Sequence, residues 1–179
     1  MQAVVNDIEV LEGCIANDRR AQKLLYEQFY EFAMRIALRY SRDENDAADI
    51  LSHAFVKIFK SIRSYDSSKG SLHAWIKRIV ANEGLDHIKS RERFSENVEL
   101  ETVPEPPVNN HALEQMGAAE IMKLIAKLPP ATHAVFVAYA VEGYNHREIA
   151  VKLGISEGTS KWHLSEARKF LQQQLALAR

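Results

Sequence analysis

Residues 95–110, SENVELETVPEPPVNN, interrupt a chain dominated by apolar residues at helical spacing. Pro104, Pro106 and Pro107 fall within four residues, glutamates repeat, and periodicity is weak. Proline removes a backbone donor and clashes with the preceding turn, so such a stretch reads as a linker. The 179 residues suit one large domain or two small ones, and the break selects two. The expected organisation is a helical block over 1–94, a linker over 95–111 and a second helical block over 112–179.

In the first block, Leu25, Phe29, Phe32, Ile36 and Tyr40 recur at three- and four-residue spacing and define one apolar face. A second helix is expected from near Asp43, with Ile50, Ala54, Ile58 and Ile62 on one stripe and Leu51 and Phe55 widening it. Its acids lead and its lysines trail, as the helix dipole favours. After the turn-rich SYDSSKGS, Ser71 is placed to cap a third helix, LHAWIKRIVANEGLDHIKSRER. Three long helices with short connections read as a bundle. Beyond the break, helices resume around Ala112, Pro129 and Pro130 begin another, and Gly143 can close it. The fold class is all-α, with two small helical domains joined by a flexible acidic linker.

The formal net charge of −1 conceals a strong arrangement. Residues 60–94 carry a net +4, residues 95–120 a net −6, and residues 121–179 a net +4. Two basic blocks flank one acidic segment, and polyanion binding depends on such local fields.

The stretch HREIAVKLGISEGTSKWHLSEARKF, residues 146–170, has the marks of a helix-turn-helix. Asn145 and Glu148 form a capping-box start, Ile149 and Leu153 supply a buried face, and Ala150 is small where two helices approach. Gly154 suits the left-handed corner, Ile155 can plug the core beneath it, and Ser156 can cap the next helix. Ser160, Leu164, Ala167 and Leu171 share that helix's inner stripe, leaving Thr159, Lys161, Trp162, His163, Ser165, Glu166, Arg168 and Lys169 outside or flanking. A helix offered to a major groove needs such a polar face with bases for phosphates. A hairpin used only for packing is the alternative.

The third helix carries Trp75, Lys77, Arg78, Asn82, Lys89, Arg91 and Arg93. Bases track phosphates, while aromatic and amide groups can receive unstacked bases of a single strand. The competing reading makes Trp75 a core residue and the basic run a solvated helix end.

Taken together, ENDAADILSHAFVKIFKSI, WIKRIVANEGLDHIKSR and LPPATHAVFVAYAVEGYNHREIAVKLGISEGTSKWHLSEAR resemble, in order and spacing, the extracytoplasmic-function (ECF) sigma factors of bacterial RNA polymerase. The resemblance runs from about Ala21 to Leu175. It implies an N-terminal sigma domain that docks on core polymerase through Asp46, Asp49, Phe55 and Lys57. It implies further that Trp75, Lys77, Arg78, Asn82, Asp86, Lys89 and Arg91 open and read the melted minus-ten element. The outer residues of the helix-turn-helix, from Thr159 to Lys169, would read the duplex minus-thirty-five element. The linker would thread through the polymerase, and an anti-sigma partner is expected by resemblance.

The chain departs from the family at Ser52 and His53, where QE(T)F is usual, and at Ser160, usually aliphatic. Trp162 and Glu166 replace small or basic residues. Glu166 could accept from a cytosine amino group but repels phosphate.

No apolar run approaches the ~20 residues of a membrane span, the N-terminus lacks a signal pattern, and Cys14 is the single cysteine. A soluble, cytoplasmic protein without stable membrane insertion, cofactor or metal is expected. The seven histidines are scattered and no nucleophile, phosphate-loop or zinc motif occurs, so no catalytic residue is assigned. Asp43, Glu44, Asp46 and Asp49 cluster, but a helix N-terminus explains them better than magnesium. A stand-alone helix-turn-helix regulator with an N-terminal dimerisation or sensing domain is the alternative function.

Overall fold

The structure is a computed structural model that describes residues 7–91 and 118–177. All regular structure among the described residues is helical. The chain divides into two compact units, Met1–His87 and Ile88–Arg179. The boundaries expected at 94–95 and 111–112, and the linker between them, lie outside the described residues.

The first unit is built from α1 (Asp7–Ile15), α2 (Arg19–Ala37), α3 (Glu44–Ser61) and most of α4 (Leu72–Arg91), whose residues after His87 are assigned to the second unit. The sequence pattern left α1 unread. It ends at Ile15; Asn17 in the following turn takes a left-handed φ of 60°, which an asparagine tolerates, and Asp18 then caps α2 by accepting from the Arg20 and Ala21 amides. Asp43 caps α3 through the Asp46 amide, at 2.9 Å. The Ser71 hydroxyl accepts from the Ala74 amide at 3.2 Å, as its place before α4 predicts.

Leu25, Phe29, Ala33 and Ile36 of α2 are buried with Ile50, Ala54 and Ile58 of α3. Ile76, Val80 and Leu85 bring α4 into this core. Gly84 is required there by space: a Cβ would sit 2.5 Å from the Tyr40 ring. Burying a side chain the size of Leu25 or Phe29 contributes about 1.5–3 kcal/mol, so the apolar stripes dominate this unit's stability.

The second unit contains α5 (Ala118–Ile125), α6 (Pro130–Phe136), α7 (His146–Leu153) and α8 (Glu157–Leu177). The resumption expected near Ala112 falls outside the described residues. Pro130 starts α6, where its missing N–H is harmless. The helix runs directly into a π turn, Val137–Val141, before Gly143 reverses the chain at φ 81°.

The α7 corner follows its sequence signals closely. Asn145 and Glu148 form both bonds of a capping box, at 2.9 Å each. Gly154 adopts φ 72°, ψ 35° and donates to the Ala150 carbonyl at 2.9 Å. Ser156 then caps α8 by accepting from the Thr159 amide at 2.9 Å. Ile149, Leu153, Leu164 and Ala167 form the core under the turn with Val135 and Val137, whereas Ile155 is only half-buried.

Candidate polymerase and nucleic-acid interfaces

The residues expected to meet polymerase do not share one surface. On α3, Asp49, Ser52, His53, Val56 and Lys57 are exposed, but Asp46 and Phe55 are buried. Asp46 accepts from Arg42 Nε at 3.1 Å, and His87 Nε2 of α4 lies 3.7 Å away, so its carboxylate serves the α3 start and the α4 flank. The Phe55 ring stands 4.6 Å from Tyr26 of α2 and 5.8 Å from Phe59. Nine residues apart, Asp46 and Phe55 lie at the two edges of the buried side of α3, Asp46 on the side of Lys57 and covered by Arg42 and His87, Phe55 covered by Tyr26 and Phe59. Val56, half-exposed and apolar, was missed. It lies three to four residues from His53 and Lys60, on the outward face of α3. Ser52, one of the departures, donates back to the Ala48 carbonyl at 2.8 Å.

Helical geometry sorts the basic and aromatic residues of α4. Trp75, Arg78, Asn82, Asp86 and Lys89 follow each other at three- and four-residue steps and form one stripe. Lys77 and Arg91 fall on the other side of the helix. Trp75 is half-buried and packs its ring 5.6 Å from Tyr65, leaving part of the indole at the surface. Arg78 and Lys89 are exposed, while Asn82 and Asp86 are partly covered. Charge, amide and aromatic groups thus share one accessible strip, the arrangement suited to a single strand.

Glu83 lies on the flank of that strip and was not singled out by sequence. It is buried at 8% exposure and receives Lys57 Nζ from α3 in an ion pair. Asp86 Oδ2 is 3.6 Å from the same ammonium. The hydrogen bond from Lys57 to Glu83 outweighs partial desolvation and raises the lysine above its ordinary pKa. Lys57 and Asp86, assigned by sequence to different partners, belong to one cluster.

The outward set of the helix-turn-helix also divides. Lys161 is exposed; Trp162, Glu166, Arg168 and Lys169 are half-buried. His163 turns inward instead: its Nδ1 is hydrogen-bonded to Thr132 Oγ1 of α6 at 3.0 Å, and burial lowers its pKa. Thr159 is buried and its hydroxyl bonds Ser156 at 2.9 Å, a capping role. Ser165 is buried as well, with a side-chain oxygen that lacks a hydrogen-bond partner. Thr159, His163 and Ser165 thus lie toward the inner side of the expected DNA face. Glu166 accepts from Lys169 at 2.7 Å, so its charge is neutralised by a neighbour on the same helix.

The serine at the usually aliphatic position 160 has a local explanation. Ser160 is fully buried, and its hydroxyl is hydrogen-bonded to His146 Nδ1 at 2.9 Å. The Tyr139 ring of the π turn stacks on His146, 4.6 Å away and tilted by 22°. A buried hydroxyl without such a partner would cost about 1–3 kcal/mol. Sequence gave no pairing signal for residues 14 apart on two helices.

Residues 25–94 match the family model of sigma-70 region 2, and residues 118–171 match that of sigma-70 region 4. The ECF RNA polymerase sigma factor SigM of Mycobacterium tuberculosis is 31% identical over 172 residues, covering 95% of this chain and 85% of that protein. SigE of Mycolicibacterium smegmatis is 29% identical over 161 residues, covering 85% of this chain but 60% of its own length. Among solved structures, the sigma factor RpoE of Bartonella quintana, in complex with the anti-sigma factor NepR, shares the fold. The TM-score is 0.51 at 22% identity, covering 88% of this chain and 98% of that one. No helix among the described residues is long and apolar enough to cross a membrane. The chain belongs to the ECF sigma factors of the sigma-70 family.

Proposed function

We propose how this sigma factor, which directs promoter-specific initiation by RNA polymerase, distributes that work over its residues. The outward face of α3, with Asp49, Val56 and Lys57, docks on core polymerase; Asp46 and Phe55 hold that face from within. The α4 stripe of Trp75, Arg78, Asn82, Asp86 and Lys89 takes the melted minus-ten strand, with Lys77 and Arg91 adding positive field from the sides. Helix α8 enters the major groove of the minus-thirty-five element with Lys161 and Trp162 foremost, Arg168 and Lys169 near phosphate, and Glu166 accepting from a cytosine amino group.

One observation carries the reading. A region 2 module and a region 4 module occur in order in one chain, and each presents a polar helical strip on an apolar core. The action is binding: the domain limits 1–94 and 112–179 and the acidic linker 95–111 belong to this proposal, with the linker passing through the polymerase. Each reader is weak alone and gains from effective concentration once both are mounted on one scaffold. An anti-sigma protein is the expected regulator, and the cytoplasm the expected compartment.

Run-off transcription with core polymerase and genomic promoter fragments tests the reading. The chain should produce discrete transcripts that core polymerase alone does not. Failure to associate with core polymerase in the absence of any inhibitor contradicts it, as would tight binding to palindromic DNA without polymerase.

A further inference from the structure

Lys57, Glu83 and Asp86 join the helix proposed for polymerase docking to the helix proposed for the melted strand. A buried carboxylate is tolerated only when paired, and here the partner comes from another helix rather than from its own. Glu83 directly follows Asn82 and sits three residues before Asp86, so whatever holds Glu83 also sets the rotation of the reading stripe. A second link lies along the same pair of helices, where Asp46 of α3, held by Arg42, faces His87 of α4 at 3.7 Å. Lys57 itself remains 56% exposed at its side chain, accessible from the surface that docks.

We propose that Glu83 is a positioning residue: through Lys57 it fixes the rotation of α4 against α3, so that docking on polymerase delivers the single-strand stripe in register. Glu83 touches neither DNA nor polymerase; it acts through Lys57 and through its helix neighbours. The inference rests on the assignments of α3 and α4 given above.

The test is a double-mutant cycle on the full chain in holoenzyme, with E83Q, K57M and K57M/E83Q. Core affinity is measured with labelled chain, and promoter opening by permanganate reactivity of unpaired thymines. E83Q keeps the side-chain shape and removes the charge. It should slow opening by about tenfold at unchanged core affinity, and the double variant should open no more slowly than K57M, because contacting residues couple. Multiplying defects in the double variant overturn the proposal. So does a loss of core binding or of folding by E83Q, which would make Glu83 a fold residue. A defect in N82A together with normal opening by E83Q overturns the brace and leaves the α4 assignment standing. Wild-type holoenzyme that forms but opens no promoter overturns the assignment and the brace together.

Discussion

The two reading helices use similar residue types in different ways. On α4 the groups tied to α3 sit beside the outer strip and partly within it: Glu83 and His87 turn to α3, Asp86 of the strip shares Lys57 with Glu83, and Arg78 and Lys89 are exposed. On α8 several groups counted as outward are consumed locally. Thr159 closes the cap with Ser156, His163 bonds Thr132, and Glu166 holds Lys169. A short helix-turn-helix has few core residues, so polar side chains share in fixing its geometry. A polar face read from periodicity therefore overstates the groups that point outward on α8, where Thr159 and Ser165 are buried.

The largest effect should separate the two units outright. Leu164→Ala removes a buried side chain from the α8 core and should cost about 3 kcal/mol. The two tryptophans, Trp75 and Trp162, lie one in each unit and report on them separately. In a W75F background, urea unfolding followed by Trp162 should shift strongly with L164A, while Trp75 fluorescence in a W162F background should not.

Next comes the ion pair on the reading helix. Glu166→Ala should remove about 2 kcal/mol of base discrimination at one position of the minus-thirty-five element. It also releases Lys169, so binding to unrelated duplexes at low salt should rise. Selection from a randomised element by holoenzyme measures both effects. Unchanged preference would return Glu166 to a purely structural place.

A smaller change tests the corner. Asn145→Ala breaks the capping box and should cost about 1 kcal/mol in the second unit, read as a lower urea midpoint at Trp162.

The smallest effect is acid sensitivity. Burial lowers the pKa values of His133 and His163 in the folded unit, so the unfolded chain binds their protons first. Their neutral packing is fully compatible with folding above the ordinary histidine pKa of about 6.5 and loses stability as pH falls below it. The Trp162 midpoint should therefore drop between pH 7 and pH 5, and His133→Gln should flatten that slope.

The sequence was most legible where the signal is local and made by backbone. Asn145 with Glu148, Gly154 and Ser156 each occupy the role their spacing predicts, because caps and corners involve residues at most a few positions apart. The apolar stripes of α2 and α3 were equally plain, since 3.6-residue periodicity reflects burial directly. Helix α1 escaped because nine residues hold their shape only through packing, here with Val10 and Cys14 buried. The burial of Asp46 and Phe55 was not legible because a family motif marks a helix without saying what covers each side chain. Glu83 with Lys57, and His146 with Ser160, are contacts between helices, and no periodicity announces a partner 14 or more residues away.

In the proposed mode of action, two weak readers become specific only when mounted on polymerase. Promoter binding should be measured across a salt series with the isolated chain and with holoenzyme on the same DNA. Little sequence preference is expected of the isolated chain, and tight holoenzyme binding that weakens steeply with salt as phosphate contacts are displaced. Specific binding by the isolated chain that matches holoenzyme in affinity would contradict it.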